Sequence, residues 1–326
     1  MSAPEPTSAR RATAILVVVT LFWGLSFPLM KSWQDAAKDC PGGKELASTT
    51  LIAVRMPLSL LVLALARPRL LRGPTRREHL IGAVIGFVFW IGFSLQVWGL
   101  ADTTPARSGF ITSLGCAWVP LLAFVFLRMP VAGVTLLGLG LGVASTAVLG
   151  LDWEGGWNLG RGELRTLLGS VMFAVQILLL DRLGKRVRSE HLTVAFLGVT
   201  GLLATALALA LAAAGPGLGA WLTWLADLLQ RPAVTRDVLL LVLLPTVLAF
   251  HWMNTYQPHV SAGRAALIYL LEPLFAAIFS VLWGHDALTG RLFLGGGSIL
   301  AGNLLIEVPY WVWRRSDPGR GGGGAR

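Results

Sequence analysis

Two charged side chains interrupt the long apolar runs of this sequence, and the chemistry open to it starts with them. Glu272 stands directly before Pro273 in the run near 262–284, and Arg55 lies inside the run from Leu46 to Ala66. A carboxylate among apolar residues must face a cavity, find a cation or take up a proton. Glu272 could therefore exchange protons or hold the amine of a bound solute. The plainer alternative is a structural carboxyl that hydrogen-bonds backbone groups freed by Pro273. Arg55 sits too deep in its run to snorkel. It could bind a solute carboxylate or pair with Glu272, or it could satisfy helix carbonyls and a neighbouring side chain.

A larger neutral group accompanies these two. Trp23, Ser26, Trp90, Gln96 and Thr112 interrupt apolar runs in the first half of the chain, and Gln176, Asn254, Tyr256 and Tyr269 do so in the second. Each alone is ordinary glue between packed helices. Together their rings, amides and hydroxyls suit a small, partly apolar, neutral or zwitterionic solute. No catalytic constellation stands beside them. His79, His191, His251, His259 and His285 show no metal spacing, and Cys40 and Cys116 form no CxxC pair. GxSxG, Walker and dinucleotide patterns are also missing, so no enzyme, metal or cofactor is expected.

The elements that position these residues follow from composition. With 55% hydrophobic and 13% charged residues, the chain does not describe a soluble surface. Its net charge of +10 would suggest nucleic acid elsewhere, but here the basic residues cluster in short segments between apolar runs. They read as topology signals and lipid-headgroup contacts. A helix needs about 20 apolar residues to cross hydrocarbon. Such runs predict spans near 12–33, 46–66, 79–101, 107–127, 130–151, 163–181, 190–214, 237–258, 262–284 and 291–313. Arg10 and Arg11 precede the first run as they would in a signal peptide, but the run exceeds a typical h-region and is expected to be retained.

An even number of spans puts both termini on one side, and most of the 27 basic residues then fall on that side. Arginine is densest after the second and sixth spans, so both termini are expected in the cytoplasm. Most tryptophans fall at span ends, as interfacial rings do, whereas Trp23, Trp90, Trp118 and Trp252 lie within spans. Between the seventh and eighth spans, Gly215 and Pro216 break the pattern. Trp221, Trp224, Leu225, Leu228 and Leu229 then recur at helical spacing, which predicts a short amphipathic helix on the outer surface.

The chain also repeats itself. TPARSGFITSLGCAWVPLLAFVFLRM from Thr104 reads like SAGRAALIYLLEPLFAAIFSVLWGHD from Ser261, pairing Arg107 with Arg264, Ile111 with Ile268 and Leu114 with Leu271 at one offset near half the chain. Five spans per half force the second half to enter the membrane inverted, an arrangement common in secondary transporters. With WGLSFPLMK, AVRMPLSLL and LRTLLGSVMFAVQILLLDRL elsewhere, and GRAALIYLLEPLFAAIFSVLWGHDALTG the most specific segment, the sequence resembles the drug/metabolite transporter superfamily of the EamA type. Cys116 departs from the pattern, standing where the second half has Pro273.

The resemblance implies an all-α integral membrane protein of ten transmembrane helices in two inverted five-helix repeats. It implies a secondary transporter that works by alternating access and exports small metabolites such as neutral or aromatic amino acids. The first, third, fourth, sixth, eighth and ninth helices would line the cavity. Because the Glu-Pro pair recurs among transporters of varied substrates, the resemblance favours the structural reading of Glu272. The expected organisation is a cytoplasmic tail (1–11), a first repeat (12–151), an outer loop (152–162), a second repeat (163–313) and a cytoplasmic Gly/Arg tail (314–326). Expected partners are a small solute, the lipid bilayer of a bacterial inner (plasma) membrane and a second copy as a candidate homodimer, with no nucleic acid. The alternatives are an organic-anion or sugar-phosphate antiporter of the same fold, or a membrane protein that moves nothing.

Overall fold

Within hydrocarbon every N–H and C=O must be paired inside its own segment, so apolar runs of this length fold as helices. The computed structural model describes residues 6–71, 74–128, 133–152, 156–183, 189–257, 260 and 268–316. The first half comprises α1 (Pro6–Ala36), α2 (Gly43–Ala66), α3 (Arg76–Leu100), α4 (Pro105–Ser113), α5 (Gly115–Leu127) and α6 (Gly133–Gly150). A short antiparallel ribbon, Leu151–Asp152 with Gly156–Leu159, leads to the second half. There follow α7 (Arg161–Leu183), α8 (Ser189–Ala214), α9 (Leu218–Gln230), α10 (Pro232–Val242), α11 (Ala249–Tyr256), α12 (Glu272–Leu282) and α13 (Gly290–Ser316). Among the described residues, 7 segments are long and apolar enough to cross a membrane: Arg10–Ala36, Gly43–Ala66, Arg76–Leu100, Pro105–Phe126, Arg161–Leu180, His191–Ala214 and Pro232–Met253. The molecule is a multi-pass helical membrane bundle.

Helix ends outrun the sequence boundaries where the local chemistry permits. α1 begins at Pro6, inside the expected tail, because a proline at a helix start loses no bond. α3 is opened by a capping box: Thr75 Oγ1 accepts from the Glu78 N–H at 3.2 Å, and the Glu78 carboxylate accepts from the Thr75 N–H at 2.7 Å. Glu78 also meets His191 Nδ1 of α8 at 3.3 Å, joining two helices at a buried position.

Small residues set how closely the helices approach. At the α3–α7 contact a Cβ on Gly162 would fall 2.7 Å from the Gly99 carbonyl oxygen and 2.8 Å from the Asp102 carbonyl carbon. Two turns deeper, a Cβ on Gly169 would fall 2.8 Å from the Gly92 carbonyl oxygen. The glycine-rich α6 and α13 meet the same way, with Gly302 against the Gly138 carbonyl at 2.6 Å. Gly24 of α1 is matched to the backbone of α12, its missing Cβ lying 2.8 Å from the Ala276 nitrogen.

Three expected spans are interrupted. The fourth divides at Leu114 into α4 and α5, two residues ahead of Cys116, and α5 continues through Pro120. The ninth turns at Leu270 and Leu271, so that α12 starts at Glu272 with Pro273 in its first turn. Leu114 and Leu271 are the paired positions of the repeat, and both are helical in φ and ψ (−62°, −14° and −75°, −18°). The break therefore does not depend on a proline at 116. The eighth span carries a π turn, Leu243–Leu248, which fuses α10 to α11.

α9 forms as the amphipathic pattern predicts and docks where α1 ends and α2 begins. Trp221 Nε1 donates to Thr50 Oγ1 at 3.0 Å, Trp224 Nε1 donates to Asp39 Oδ1 at 3.4 Å, and Leu228 is fully buried. Arg231 donates to Asp39 Oδ2 at 3.3 Å and to the Ala36 carbonyl at 2.9 Å. Burial opposes ionisation of Asp39, but the bonds from Trp224 and Arg231 outweigh it and hold its carboxyl below the usual range.

Candidate functional site

Pro245 organises the middle of the bundle. Lacking an N–H, it leaves the Leu241 carbonyl without its helical donor, and Thr246 Oγ1 donates to that carbonyl instead at 2.8 Å. The Ala249 N–H reaches the Leu244 and Thr246 carbonyls in the π turn and bypasses the Pro245 carbonyl. Trp23 Nε1 of α1 donates to it at 3.2 Å. From the other side, Arg55 Nε of α2 donates to Thr246 Oγ1 at 2.9 Å. One helix defect thus collects the mid-span tryptophan and the mid-span arginine.

Aromatic rings extend from this point. Trp23 lies 5.5 Å from Tyr269 and 6.0 Å from Phe250, both tilted to its plane. Tyr269 donates its hydroxyl to Gln257 Oε1 at 2.9 Å, tying the segment before α12 to the end of α11. Arg55 lies over the Phe93 ring at 5.3 Å, and Nη1 approaches Met30 Sδ at 3.5 Å. Phe93 stacks on Phe89, which meets Phe173 of α7 and Phe196 of α8. The lining draws on both halves of the chain.

The expected site residues separate into groups. Trp23, Tyr269 and Arg55 are brought together around the π turn. Gln96 and Thr112 form a pair of their own, Nε2 donating to Oγ1 at 2.8 Å between α3 and α4. Ser26 gives its proton to the Trp23 carbonyl at 2.7 Å, within its own helix. Trp90 is tilted against Phe87, and its Nε1 is buried without a partner among the described residues, as is Ser94 Oγ one turn on. Gln176 and Tyr256 are half-buried and make no side-chain hydrogen bond among the described residues. The side chain of Asn254, and Arg264, lie outside the described residues. Glu272 occupies the first turn of α12. Among the described residues its carboxylate bonds neither Arg55 nor the backbone near Pro273.

Residue types alone do not single out the partners that complete this arrangement. Thr246, Phe93, Phe250 and Gln257 read as packing or as span ends. The one sequence signal was Pro245 inside an apolar run, since a mid-span proline frees backbone groups that something must satisfy. At the end of the bundle where α2 begins, an ion-pair network crosses between the halves. Asp102 takes Lys44 at 2.6 Å and Arg165 at 3.3 Å, and Arg165 also holds Glu45 at 2.8 Å. Beside it, the buried Glu163 accepts from Thr103 Oγ1 at 2.6 Å and pairs with Arg107 at 3.5 Å.

The interior of this multi-pass bundle brings together aromatic, amide and hydroxyl groups from both halves of the chain. The model of the EamA-like transporter family matches the chain twice, over residues 11–151 and 160–308, and the chain belongs to that family. Among similar proteins is an uncharacterized transporter of Archaeoglobus fulgidus, 23% identical over 311 residues that cover 90% of this chain and 84% of that one. A solved crystal structure, described only as that of a protein, shares the fold with a TM-score of 0.58 at 21% identity. That match covers 94% of this chain and 99% of the other. The protein is a membrane transporter whose partners are a small solute and lipid.

Proposed function

We propose that the protein is a secondary transporter that exports neutral or aromatic amino acids by alternating access. Ten transmembrane helices would form two inverted five-helix repeats, with α4–α5 and α10–α11 each crossing as one span and α12 completing the ninth. In this reading the first repeat spans 12–151 and the second 163–313, both termini are cytoplasmic, and the membrane is the bacterial plasma membrane. The observation that carries the reading is the meeting of Trp23 with Tyr269 at 5.5 Å beside the opened Pro245 carbonyl, at mid-span and from opposite halves. Discontinuous helices with freed backbone groups at this depth are where carriers bind their solutes. The matched breaks at Leu114 and Leu271 support the same reading, because inverted halves place equivalent bends on either side of one pathway.

In this assignment Trp23, Trp90, Tyr256 and Tyr269 supply aromatic surface, while Gln96, Thr112, Gln176 and Asn254 supply polar contacts and Ser26 shapes the first helix. The test is uptake into proteoliposomes over a panel of labelled amino acids, with and without a pH gradient. Aromatic and branched apolar amino acids should be transported. Trp23→Ala, Trp90→Ala and Tyr269→Ala should each reduce the rate while protein yield in the membrane stays constant. Full rates in all three variants would remove these residues from the pathway, and no uptake of any amino acid would reject the substrate class.

A further inference from the structure

Arg55 is 4% exposed at mid-span, and none of its partners carries negative charge. They are a threonine hydroxyl, a thioether sulfur and the face of a phenyl ring. A guanidinium has five N–H donors, and here Nε and Nη1 alone have acceptors among the described residues. Thr246 gives its own proton to the Leu241 carbonyl and so offers Arg55 only a lone pair. The cation is held in place but not neutralised. Removing such a charge from water without a counter-ion is costly, and a charge kept inside a membrane bundle in this state marks the path of something that supplies the opposite charge.

We propose that Arg55 anchors the carboxylate of the transported solute. The inference rests on the reading of the chain as a carrier whose pathway passes Trp23, and it names the group that a solute must carry. Three observations point to a carboxylate. One unpaired cation matches one negative charge, whereas a phosphate dianion would leave charge uncompensated. Trp90 Nε1 and Ser94 Oγ, one turn apart on α3, are buried without acceptors among the described residues. On the same length of α3, the Phe93 ring lies under Arg55 and the Val97 backbone carbonyl accepts from Gln34 Nε2 of α1 at 3.3 Å, so this part of α3 abuts both Arg55 and α1. A carboxylate offers both oxygens to such donors, and the planar fork of arginine receives it in two parallel bonds. Thr246, through its bond to Nε, is the positioning residue for that fork.

The test uses the full chain in nanodiscs and reads ligand-induced shifts of the thermal unfolding midpoint. The probes are L-phenylalanine, L-phenylalaninamide, 3-phenylpropionate and glycerol 3-phosphate. Phenylalanine and 3-phenylpropionate should stabilise the wild type, and the amide should not. Arg55→Gln should weaken both carboxylates by roughly tenfold or more. Arg55→Lys keeps the charge but loses the fork; it should fold where glutamine does not, and should bind carboxylates with intermediate strength. Stabilisation by 3-phenylpropionate without phenylalanine would defeat the amino-acid reading and leave the role of Arg55 standing. An unchanged carboxylate shift in both variants would overturn the proposal. So would equal stabilisation of the wild type by the amide, a response to glycerol 3-phosphate alone, or no response to any probe.

Discussion

Glu272 opens α12 with its carboxylate in the first turn, where converging backbone N–H groups favour negative charge. The family resemblance favoured a structural carboxyl bonded to groups freed by Pro273, and no such bond forms among the described residues. With no partner among the described residues, this carboxylate, one turn beyond Tyr269, moves the expectation towards solute or proton binding. Glu272→Gln is therefore expected to keep its thermal stability within about 0.5 kcal/mol and to lose uptake of amine-bearing solutes in proteoliposomes. Unchanged uptake with a lowered midpoint would return the residue to structure. Trp23, Tyr269 and Arg55 were legible because aromatic and charged groups at mid-span have no interfacial reason to be there. Thr246 was not, because threonine routinely bonds within its own helix in membranes, and its contact with Arg55 joins residues 191 apart in the chain.

Helices that touch through glycine have no room to adjust. The missing Cβ of Gly162 faces only backbone, with the Gly99 oxygen at 2.7 Å and the Asp102 carbon and oxygen at 2.8 and 2.9 Å. Gly162→Ala is expected to destabilise the protein by about 1–3 kcal/mol, seen as a lowered midpoint in detergent. A second element-scale prediction concerns α9. The folded Asp39 carboxyl is depressed, so its contribution to docking is complete above the pKa of a free aspartate, about 3.9. It is lost as pH falls through the lower folded value. Protection of amides 218–230, taken relative to the intrinsic exchange rate at each pH, should be high at neutral pH and fall in acid, and Asp39→Asn should remove that dependence. The amphipathic helix itself was legible from its tryptophan and leucine spacing. The π turn was not, because hydropathy records how apolar a segment is and says nothing of which carbonyl each N–H selects.

For the whole molecule, the proposed topology makes a direct prediction. Cys40 is buried and its thiol is pushed above its ordinary range by that burial, so it should contribute little background in labelling, and Cys116 is replaced by alanine for the assay. A cysteine at exposed Lys38 should react with an impermeant thiol reagent in intact cells, and one at Arg186 should react only after lysis. The reverse pattern would invert the orientation. Seven of the ten expected spans were readable because hydrocarbon demands long apolar helices; the pairings of helices were not, since lipid and neighbouring helices are equally apolar and only shape discriminates between them. Those pairings have a consequence for movement. The family model matches two consecutive stretches, 11–151 and 160–308, yet α3 clasps α7 and α8, α2 clasps α8, α6 clasps α13, and α1 clasps α12. Each of these close contacts joins one stretch to the other. The two stretches are therefore repeats in sequence but not separate bodies in space: swinging one away from the other would break all of these contacts, so the moving bodies of the proposed mechanism would each draw helices from both.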